Sequence, residues 1–226
     1  MKSVKNYIIG IDEAGRGPLA GPVAVGVVCV PESFEWRVIP GVGDSKQISP
    51  KKREVIFRRT TQLQKEGKLT FAVGMVSAKI IDKIGIVLAI QKAMSKALQK
   101  VTHPHPTLPR VTLGKKTPTR RLTFRFNLKE ENVLVKLDGG LKAPEEFINQ
   151  QTIIRGDAKE KVIGLASIMA KVTRDKYMMR KSALPIFAPY TFALHKGYGT
   201  QKHRDAIKLF VLSIEHRSTF CKNLQK

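Results

Sequence analysis

The chain has 226 residues, which is enough for one domain with a full hydrophobic core. It carries 41 Lys and Arg against 18 Asp and Glu, a formal net charge of +23 that favours a polyanionic partner such as nucleic acid. Because neither cysteine has a CxxC partner, and because no signal-peptide pattern or membrane-spanning run occurs, we expect a soluble cytoplasmic protein that acts away from membranes.

The first hundred residues predict three strands and two helices. The β-branched run Ile8–Ile11 predicts the first strand, and the apolar run Val23–Val30 predicts a second strand that is buried on both faces. Residues 49–64 begin with a serine N-cap and a proline, which predicts a basic helix. A third strand is expected over residues 68–76, and residues 84–100 carry the apolar stripe of a second helix.

Residues 102–131 form a basic, proline-broken excursion. Four prolines interrupt any helix, and the alternation of apolar and polar residues over 122–128 predicts a strand. Two interpretations stay open. The excursion is either a hairpin that extends a duplex-binding surface or a solvated segment whose apolar side lies on the domain.

The second half of the chain predicts two further strands and two helices. Strands are expected at Asn132–Leu137 and Ile153–Ile154, followed by a long helix from about residue 158 to 181. The last helix begins near Gln201 and presents the apolar residues Ile207, Phe210, Val211 and Ile214. Strands interleaved with helices in this way predict an α/β domain with a mixed sheet.

Four acids lie where predicted strands end: Asp12, Glu13, Asp138 and Asp157. Ligands gather at the carboxyl ends of strands in open α/β sheets, and oxygen-only ligands select hard cations such as Mg²⁺ or Mn²⁺. Neighbouring side chains on a regular strand point to opposite faces. Asp12 and Glu13 therefore share one metal site only if the strand is ending, or if one contributes a backbone carbonyl.

Structural alternatives stay open for several of these residues. Asp157 with Glu160 resembles a capping box, and Asp138 precedes a glycine in a common turn dipeptide. His195 and His203 are expected to be hydrogen-bonded structural residues. The Gly15–Ala20 segment matches a loose dinucleotide-binding pattern, but an apolar β-branched run follows it where that motif requires a helix.

Five stretches of the chain resemble the motifs of ribonuclease HII, in the order that this family shows. They are Gly10–Val23, Asp44–Lys46, Val135–Gly139, Gly156–Asp157 with Ala166–Asp175, and His195–Thr200. The resemblance covers about residues 7–217 apart from the excursion. It implies a ribonuclease-H-like mixed β-sheet flanked by helices over residues 1–182, and a small helical C-terminal region over residues 183–226.

The resemblance also implies an activity and its residues. The activity is hydrolysis of RNA in RNA–DNA hybrids and cleavage 5′ of single ribonucleotides in duplex DNA, which leaves 5′-phosphate and 3′-hydroxyl ends. The four acids named above would be both catalytic residues and ligands of two Mg²⁺ or Mn²⁺ ions. The implied nucleic-acid-binding residues are Gly15, Arg16, Gly17 and Tyr198, and Lys46 is expected to contact a phosphate near the site.

Two questions remain open from the sequence. Without the resemblance, Tyr198 between two glycines would be interpreted as a loop anchor. A non-catalytic, basic duplex-binding protein on the same scaffold is the rival to an enzyme. Because the first strand begins within ten residues of Met1, the chain is expected to be a monomeric type HII enzyme without the N-terminal domain of ribonuclease HIII.

Overall fold

Five strands form one mixed sheet at the centre of the protein. The structure is a computed structural model that describes residues 6–45, 47–102 and 132–224. The predictions made for Lys46 and for the excursion beyond residue 102 therefore lie outside the described residues. The strands are β1 (Tyr7–Ala14), β2 (Val23–Pro31), β3 (Thr70–Val76), β4 (Val133–Asp138) and β5 (Gln150–Ile153).

The strand order across the sheet is β3-β2-β1-β4-β5. β1 pairs antiparallel with β2 and parallel with β4, β2 pairs antiparallel with β3, and β4 pairs parallel with β5. The predicted mixed sheet is confirmed. Because β1 is the central strand and runs parallel to β4 and β5, the carboxyl ends of these three strands lie at the same edge of the sheet.

Six α-helices and four short 3-10 helices accompany the sheet in the described part of the chain. The α-helices are α1 (Pro50–Lys65), α2 (Ala78–Thr102), α3 (Gly156–Lys159), α4 (Lys161–Ser182), α5 (Phe192–His195) and α6 (Gln201–Phe210). The 3-10 helices are Trp36–Val38, Pro185–Tyr190, Ser218–Phe220 and Lys222–Leu224. Among the described helices, none combines the length and apolar character required to cross a membrane.

Helix α2 covers one face of the sheet and α4 covers the other. Ile9, Ile11 and Val25 share a buried cluster with α2, whereas Val28 and Val30 share one with α4 and α1. This division follows from the alternation of side chains along each strand.

Two glycines allow α4 to approach the sheet closely. A Cβ atom on Gly10 would collide with the carbonyl oxygen of Val162, and a Cβ on Gly26 would collide with that of Ala166. The backbone of α4 therefore lies directly against β1 and β2. This contact brings the side chains of α4 next to the acidic end of β1.

The helix boundaries agree with prediction at α1 and differ at α2. Ser49 accepts a hydrogen bond from the Lys52 N–H, which confirms the predicted N-cap. Helix α2 begins at Ala78, and a kink at Gly85, which has φ 80° and ψ 162°, divides it into two helical segments. A left-handed φ is accessible to glycine at little cost, so the chain changes direction there.

The single long helix predicted from residue 158 is two helices. Glu160 has extended φ and ψ angles of −120° and 113° and separates α3 from α4. Glu160 is the N-cap residue of α4 and makes no side-chain cap bond, while Asp157 lies inside α3. The capping-box interpretation of Asp157 is therefore wrong. The strand predicted at Ile153–Ile154 lies earlier, at Gln150–Ile153.

The apolar face predicted for the last helix is only partly present. Ile207 is buried, but Phe210 is half-exposed at the end of α6. Val211 has φ 64° and follows the helix, and Ile214 lies beyond it with an exposed side chain. The prediction is wrong for these last residues because the helix ends sooner than the apolar pattern.

The C-terminal region packs on the turn that joins β1 to β2. Ala20 from this turn and Met178 from α4 share a buried cluster with Phe187, Phe192 and Ala206. The division of the chain at residue 182 stays a prediction.

Candidate active site

Three of the predicted acids lie at one edge of the sheet. In the parallel pairing of β1 with β4, Ile11 is opposite Leu137, so Asp12 and Asp138 are neighbours at the strand ends. Asp138 Oδ1 accepts a 2.6 Å hydrogen bond from the Gly156 N–H at the start of α3. The next residue of α3 is Asp157, which is buried like Asp12. The sheet and α3 therefore place acids from three separate segments at the same edge, with Asp157 next in sequence to the residue that bonds to Asp138.

The electrostatic environment of Asp12 is unfavourable for a bare carboxylate. Its pKa is raised well above the ordinary value of 3.8, chiefly by burial, and the negative charges of Glu13 and Asp138 raise it further. Hydrogen bonds from the Ser167 side chain and the Glu13 N–H lower it in part. A cation next to Asp12 would remove this conflict, because opposite charge stabilises the ionised carboxylate.

The donors at this edge fit a hard divalent cation, since carboxylate oxygens are the ligands that such ions prefer. Over residues 6–45, 47–102 and 132–224, no three His, Cys, Asp or Glu side chains are arranged closely enough to form a metal site as they stand. The fit therefore rests on the chemistry of the donors and on the raised pKa of Asp12.

Glu13 occupies a different position from the other acids. Strand β1 continues to Ala14, so alternation places the Glu13 side chain on the opposite face of the sheet from Asp12. The Glu13 carboxylate forms an ion pair with Arg16, with 3.3 Å between Oε1 and Nη1. Of the two conditions under which Glu13 could share the site, the one requiring the strand to end at Asp12 is not met.

A pair of serines connects Asp12 to the loop before α1. The Ser45 and Ser167 hydroxyl oxygens are 2.8 Å apart, and Ser167 also bonds to Asp12. The buried Arg53 guanidinium donates to the carbonyls of Ser45 and Ile48, both at 2.6 Å. Helices α4 and α1 together therefore hold this loop at Ser45.

The Gly-Arg-Gly turn after β1 is held from within by Arg217. This side chain is completely buried, and it donates to the carbonyl oxygens of Gly15 at 2.6 Å, Arg16 at 2.9 Å and Gly21 at 3.0 Å. No cis peptide occurs in the described chain, so each carbonyl points away from the N–H of the following residue. The N–H groups of Arg16 and Gly17 are therefore directed away from the guanidinium.

A second buried arginine, Arg174, joins this turn to the loop that carries Tyr198. Its guanidinium donates to the carbonyls of Ala20 at 3.0 Å, Pro22 at 2.8 Å and Lys196 at 3.0 Å. The guanidinium carbon is also 5.7 Å from the centre of the Tyr198 ring. Arg174 fills the space next to Gly15, where a Cβ would collide with it.

Sequence reasoning did not assign roles to these two arginines. Arg174 lies within the stretch Ala166–Asp175 that resembles the family motif, and Arg217 lies in a polar C-terminal segment. Local patterns do not distinguish a surface arginine from one that is buried among backbone carbonyls distant in sequence. The only sequence signal is that the glycine-rich turn requires donors for its carbonyls.

Tyr198 is placed at the same rim as the Gly-Arg-Gly turn. The solvent-accessible fraction of Tyr198 is 42%, and Lys171 Nζ is 5.5 Å from the ring centre. The loop is joined to the turn because the Gly197 carbonyl accepts hydrogen bonds from the Leu19 and Ala20 N–H groups. A residue that served only as a loop anchor would bury its ring, so the exposure disfavours that alternative.

Comparisons with known proteins agree with this arrangement. The sequence model of the ribonuclease HII family matches residues 9–223. Ribonuclease HII of Endomicrobium trichonymphae is 41% identical over 213 residues, covering 94% of this chain and 84% of that protein. That of Caldicellulosiruptor bescii is 38% identical over 218 residues, covering 96% of this chain and 88% of that protein.

A solved structure supports the fold. The crystal structure of ribonuclease H2 from Pyrococcus horikoshii OT3 has a TM-score of 0.65 and 21% identity, covering 97% of each chain. The predicted ribonuclease-H-like architecture is confirmed, and an enzyme is favoured over a non-catalytic binding protein. The chain therefore belongs to the ribonuclease HII family and is a metal-dependent ribonuclease H.

Proposed function

We propose that this enzyme hydrolyses RNA in RNA–DNA hybrids and cleaves on the 5′ side of single ribonucleotides embedded in duplex DNA, leaving 5′-phosphate and 3′-hydroxyl ends. The observation that carries the proposal is the position of Asp12 beside Asp138, at the sheet edge from which the Gly-Arg-Gly turn extends. The scissile phosphate would lie over the acids while the turn contacts the ribose.

The acids would hold the metal in two ways. Asp12, Asp138 and Asp157 would bind through carboxylate oxygens, and Glu13 through its backbone carbonyl, since its side chain faces away and pairs with Arg16. When bound, two Mg²⁺ or Mn²⁺ ions supply the charge that activates water and stabilises the leaving 3′ oxygen. No histidine base is then required.

The turn and Tyr198 would recognise the junction between ribose and deoxyribose. The outward N–H groups of Arg16 and Gly17 provide donors for the 2′-hydroxyl oxygen, the group that distinguishes RNA from DNA. The exposed Tyr198 ring would stack on the neighbouring deoxyribose. Neither contact depends on the base, which suits an enzyme that acts on any sequence.

The remaining parts of the proposal concern the duplex and the assembly. The net charge of +23 favours binding along the phosphate backbone, and Lys46 is proposed to contact a phosphate near the site. Since one chain contributes every residue of the proposed site, we infer that the enzyme acts as a monomer, in the cytoplasm.

The test is cleavage of an end-labelled DNA duplex that contains one ribonucleotide, with Mg²⁺, with Mn²⁺ or with EDTA. The proposal requires one metal-dependent cut immediately 5′ of the ribonucleotide and a product that carries a 5′-phosphate. Cleavage of long RNA–DNA hybrids without any cut in this duplex would overturn the junction specificity and leave the family activity intact.

Tyr198→Ala is expected to impair the embedded substrate more than the hybrid. Loss of ring stacking should lower kcat/KM for the embedded ribonucleotide about 5- to 150-fold, as for stacking contacts worth about 1–3 kcal/mol. The hybrid offers many alternative registers and should lose less. Leu194→Ala is a suitable control because this side chain is exposed near the same loop. Equal losses on both substrates would remove Tyr198 from junction recognition.

A further inference from the structure

Three buried histidines lie against the loop that carries Tyr198. The rings of His195 and His203 stack with their centres 4.2 Å apart, and the Nε2 atoms of His203 and His216 are 3.0 Å apart. His203 Nδ1 is 2.9 Å from the carbonyl oxygen of Tyr198. The cluster therefore holds the Tyr198 backbone at both its polar atoms, because the Tyr198 N–H also donates to the His195 carbonyl oxygen at 2.9 Å.

The hydrogen-bond partners at the two ends, Tyr198 and Ser213, determine which atom donates in each bond between them. The Tyr198 carbonyl can only accept, so His203 Nδ1 carries a proton and donates. The Ser213 N–H can only donate, so His216 Nδ1 is the acceptor, at 2.9 Å, and the Ser213 hydroxyl, 2.8 Å from the same nitrogen, then donates to it as well. His216 Nε2 then carries the proton of the neutral ring and donates to His203 Nε2.

All the hydrogen bonds from Ser213 through His216 and His203 to Tyr198 form in only one protonation state, in which both imidazole rings are neutral. A second proton on His203 would oppose the His216 Nε2–H, and a second proton on His216 would oppose the Ser213 N–H. Burial agrees with the geometry, because it lowers the pKa of both His203 and His216 to about 4. Both rings are therefore neutral when the enzyme works near neutral pH.

Hydrogen bonds hold the loop around Tyr198. Tyr198 is flanked by Gly197, which has φ 85°, and by Gly199, and its carbonyl accepts from the Thr200 N–H at 2.9 Å as well as from His203. The described contacts of its ring are two cations, Lys171 and Arg174, each more than 5 Å from the ring centre. Among the described residues, the one side-chain hydrogen bond to the Tyr198 backbone comes from His203.

We propose that His203, oriented by His216, is a positioning residue that fixes the Tyr198 ring at the junction between ribose and deoxyribose. The histidine pair thereby determines the preference for ribonucleotides embedded in DNA over long hybrids. This inference rests on the proposed function of Tyr198. His203 acts through the Tyr198 carbonyl and has no contact with the acids at the sheet edge among the described bonds.

Two isosteric variants separate the two bonds of His203. In His203→Asn the side-chain amide occupies the place of Nδ1 and can still donate to the Tyr198 carbonyl. In His203→Gln the amide reaches the place of Nε2, so the bond to His216 is retained and the bond to Tyr198 is lost. Each variant removes one buried hydrogen bond and part of the ring packing, so their thermal stabilities are expected to fall by similar amounts.

The measurement is the ratio of kcat/KM on the embedded-ribonucleotide duplex to kcat/KM on a long hybrid. His203→Gln should lower this ratio about fivefold, the effect of one lost hydrogen bond, and His203→Asn should leave it within about twofold of the wild-type value. A ratio that falls equally in both variants, or in neither, would overturn the inference, because a structural role would follow stability rather than the identity of the lost bond.

A double variant tests whether His203 acts through Tyr198. In a Tyr198→Ala background, His203→Gln should cause no further change in the ratio, because the ring that it positions is absent. An additional loss of similar size in this background would contradict the inference. If His203→Gln fails to fold, His203→Met replaces it, since its side chain also lacks a donor for the Tyr198 carbonyl and the ratio should again fall.

The outcomes also separate this inference from the function on which it rests. If the wild-type enzyme cuts hybrids but never the embedded ribonucleotide, the proposed function fails before any variant is compared. If the wild-type enzyme cuts both and His203→Gln retains the wild-type ratio, only the positioning role of His203 fails.

Discussion

Asp138 shows how one carboxylate serves both the fold and the site. One of its oxygens accepts the Gly156 N–H and thereby holds the start of α3, which carries Asp157. Its charge also raises the pKa of Asp12 on the neighbouring strand. The same side chain thus organises one acid and couples electrostatically to another.

Asp138→Asn is expected to abolish cleavage while preserving the fold. The amide oxygen can still accept from Gly156, but the negative charge beside Asp12 is lost. Turnover of a hybrid should fall by at least about 100-fold, as when a key electrostatic contact to the reacting group is removed. Single-turnover rates and duplex affinity measure the two effects, with the exposed Glu145→Gln as a control. Turnover at the wild-type rate would remove Asp138 from the site.

For single residues, the sequence pointed to the candidate metal ligands but not to the side chains that hold them and the neighbouring turn in place. Asp12 and Asp138 could be proposed as metal ligands because each lies toward the end of an apolar run in the sequence. The face occupied by Glu13 could not be predicted, since it depends on whether β1 ends at residue 12 or continues to Ala14. The buried Arg217 was also out of reach, because its carbonyl partners lie about 200 positions earlier in the chain.

The elements that position the site are β1, its parallel neighbour β4 and the helix α4. Runs of β-branched and apolar residues predicted the strands of the sheet, and the N-cap at Ser49 predicted the start of α1. The break at Glu160 could not be predicted, because no proline interrupts residues 156–182. In the structure Glu160 forms an ion pair with Lys136 of β4 at 2.9 Å, a contact between residues distant in sequence.

Close packing of helices on the sheet depends on glycine at selected positions. Gly74 of β3 lies against α2, and a Cβ there would collide with the carbonyl oxygen of Ala93. Gly74→Ala should therefore destabilise the protein by about 1–3 kcal/mol, the usual effect of overpacking a core. The midpoint of thermal unfolding measures this loss.

Gly140→Ala is the matched control for Gly74→Ala. A Cβ at Gly140 meets no atom within 4 Å and its backbone has no left-handed φ, so the unfolding midpoint should stay close to that of the wild type. If Gly74→Ala proves as stable as this control, α2 does not lie as close to β3 as described.

The whole molecule combines a strongly basic surface with a buried neutral histidine cluster. The charge predicted a nucleic-acid partner, and the family match agrees with that class of substrate. The predicted contribution of residues 103–131 to duplex binding lies outside the described residues. The histidine cluster adds a dependence of stability on pH, because it joins the C-terminal segment to the Tyr198 loop.

Stability is expected to fall as the pH decreases from about 6.5 toward 4. Because the pKa values of His203 and His216 are about 4 in the folded protein and 6.5 ordinarily, the unfolded chain binds more protons in this window. The histidine contribution is therefore fully present above pH 6.5. Unfolding midpoints measured from pH 7 to pH 4.5 should decrease, and should decrease less steeply in His203→Asn. Equal slopes in the two proteins would contradict the neutral pair.

The central claim is that acids from three separate segments, Asp12, Asp138 and Asp157, form one divalent-ion site. Titration of the protein with Mn²⁺, followed by electron paramagnetic resonance, tests it without reference to cleavage. Replacing any one of the three acids with Asn should weaken Mn²⁺ binding by about tenfold or more, whereas Glu145→Gln should bind as the wild type does. If Asp138→Asn and Asp157→Asn bind Mn²⁺ as tightly as the unaltered protein, the acids do not share a site and the account is contradicted.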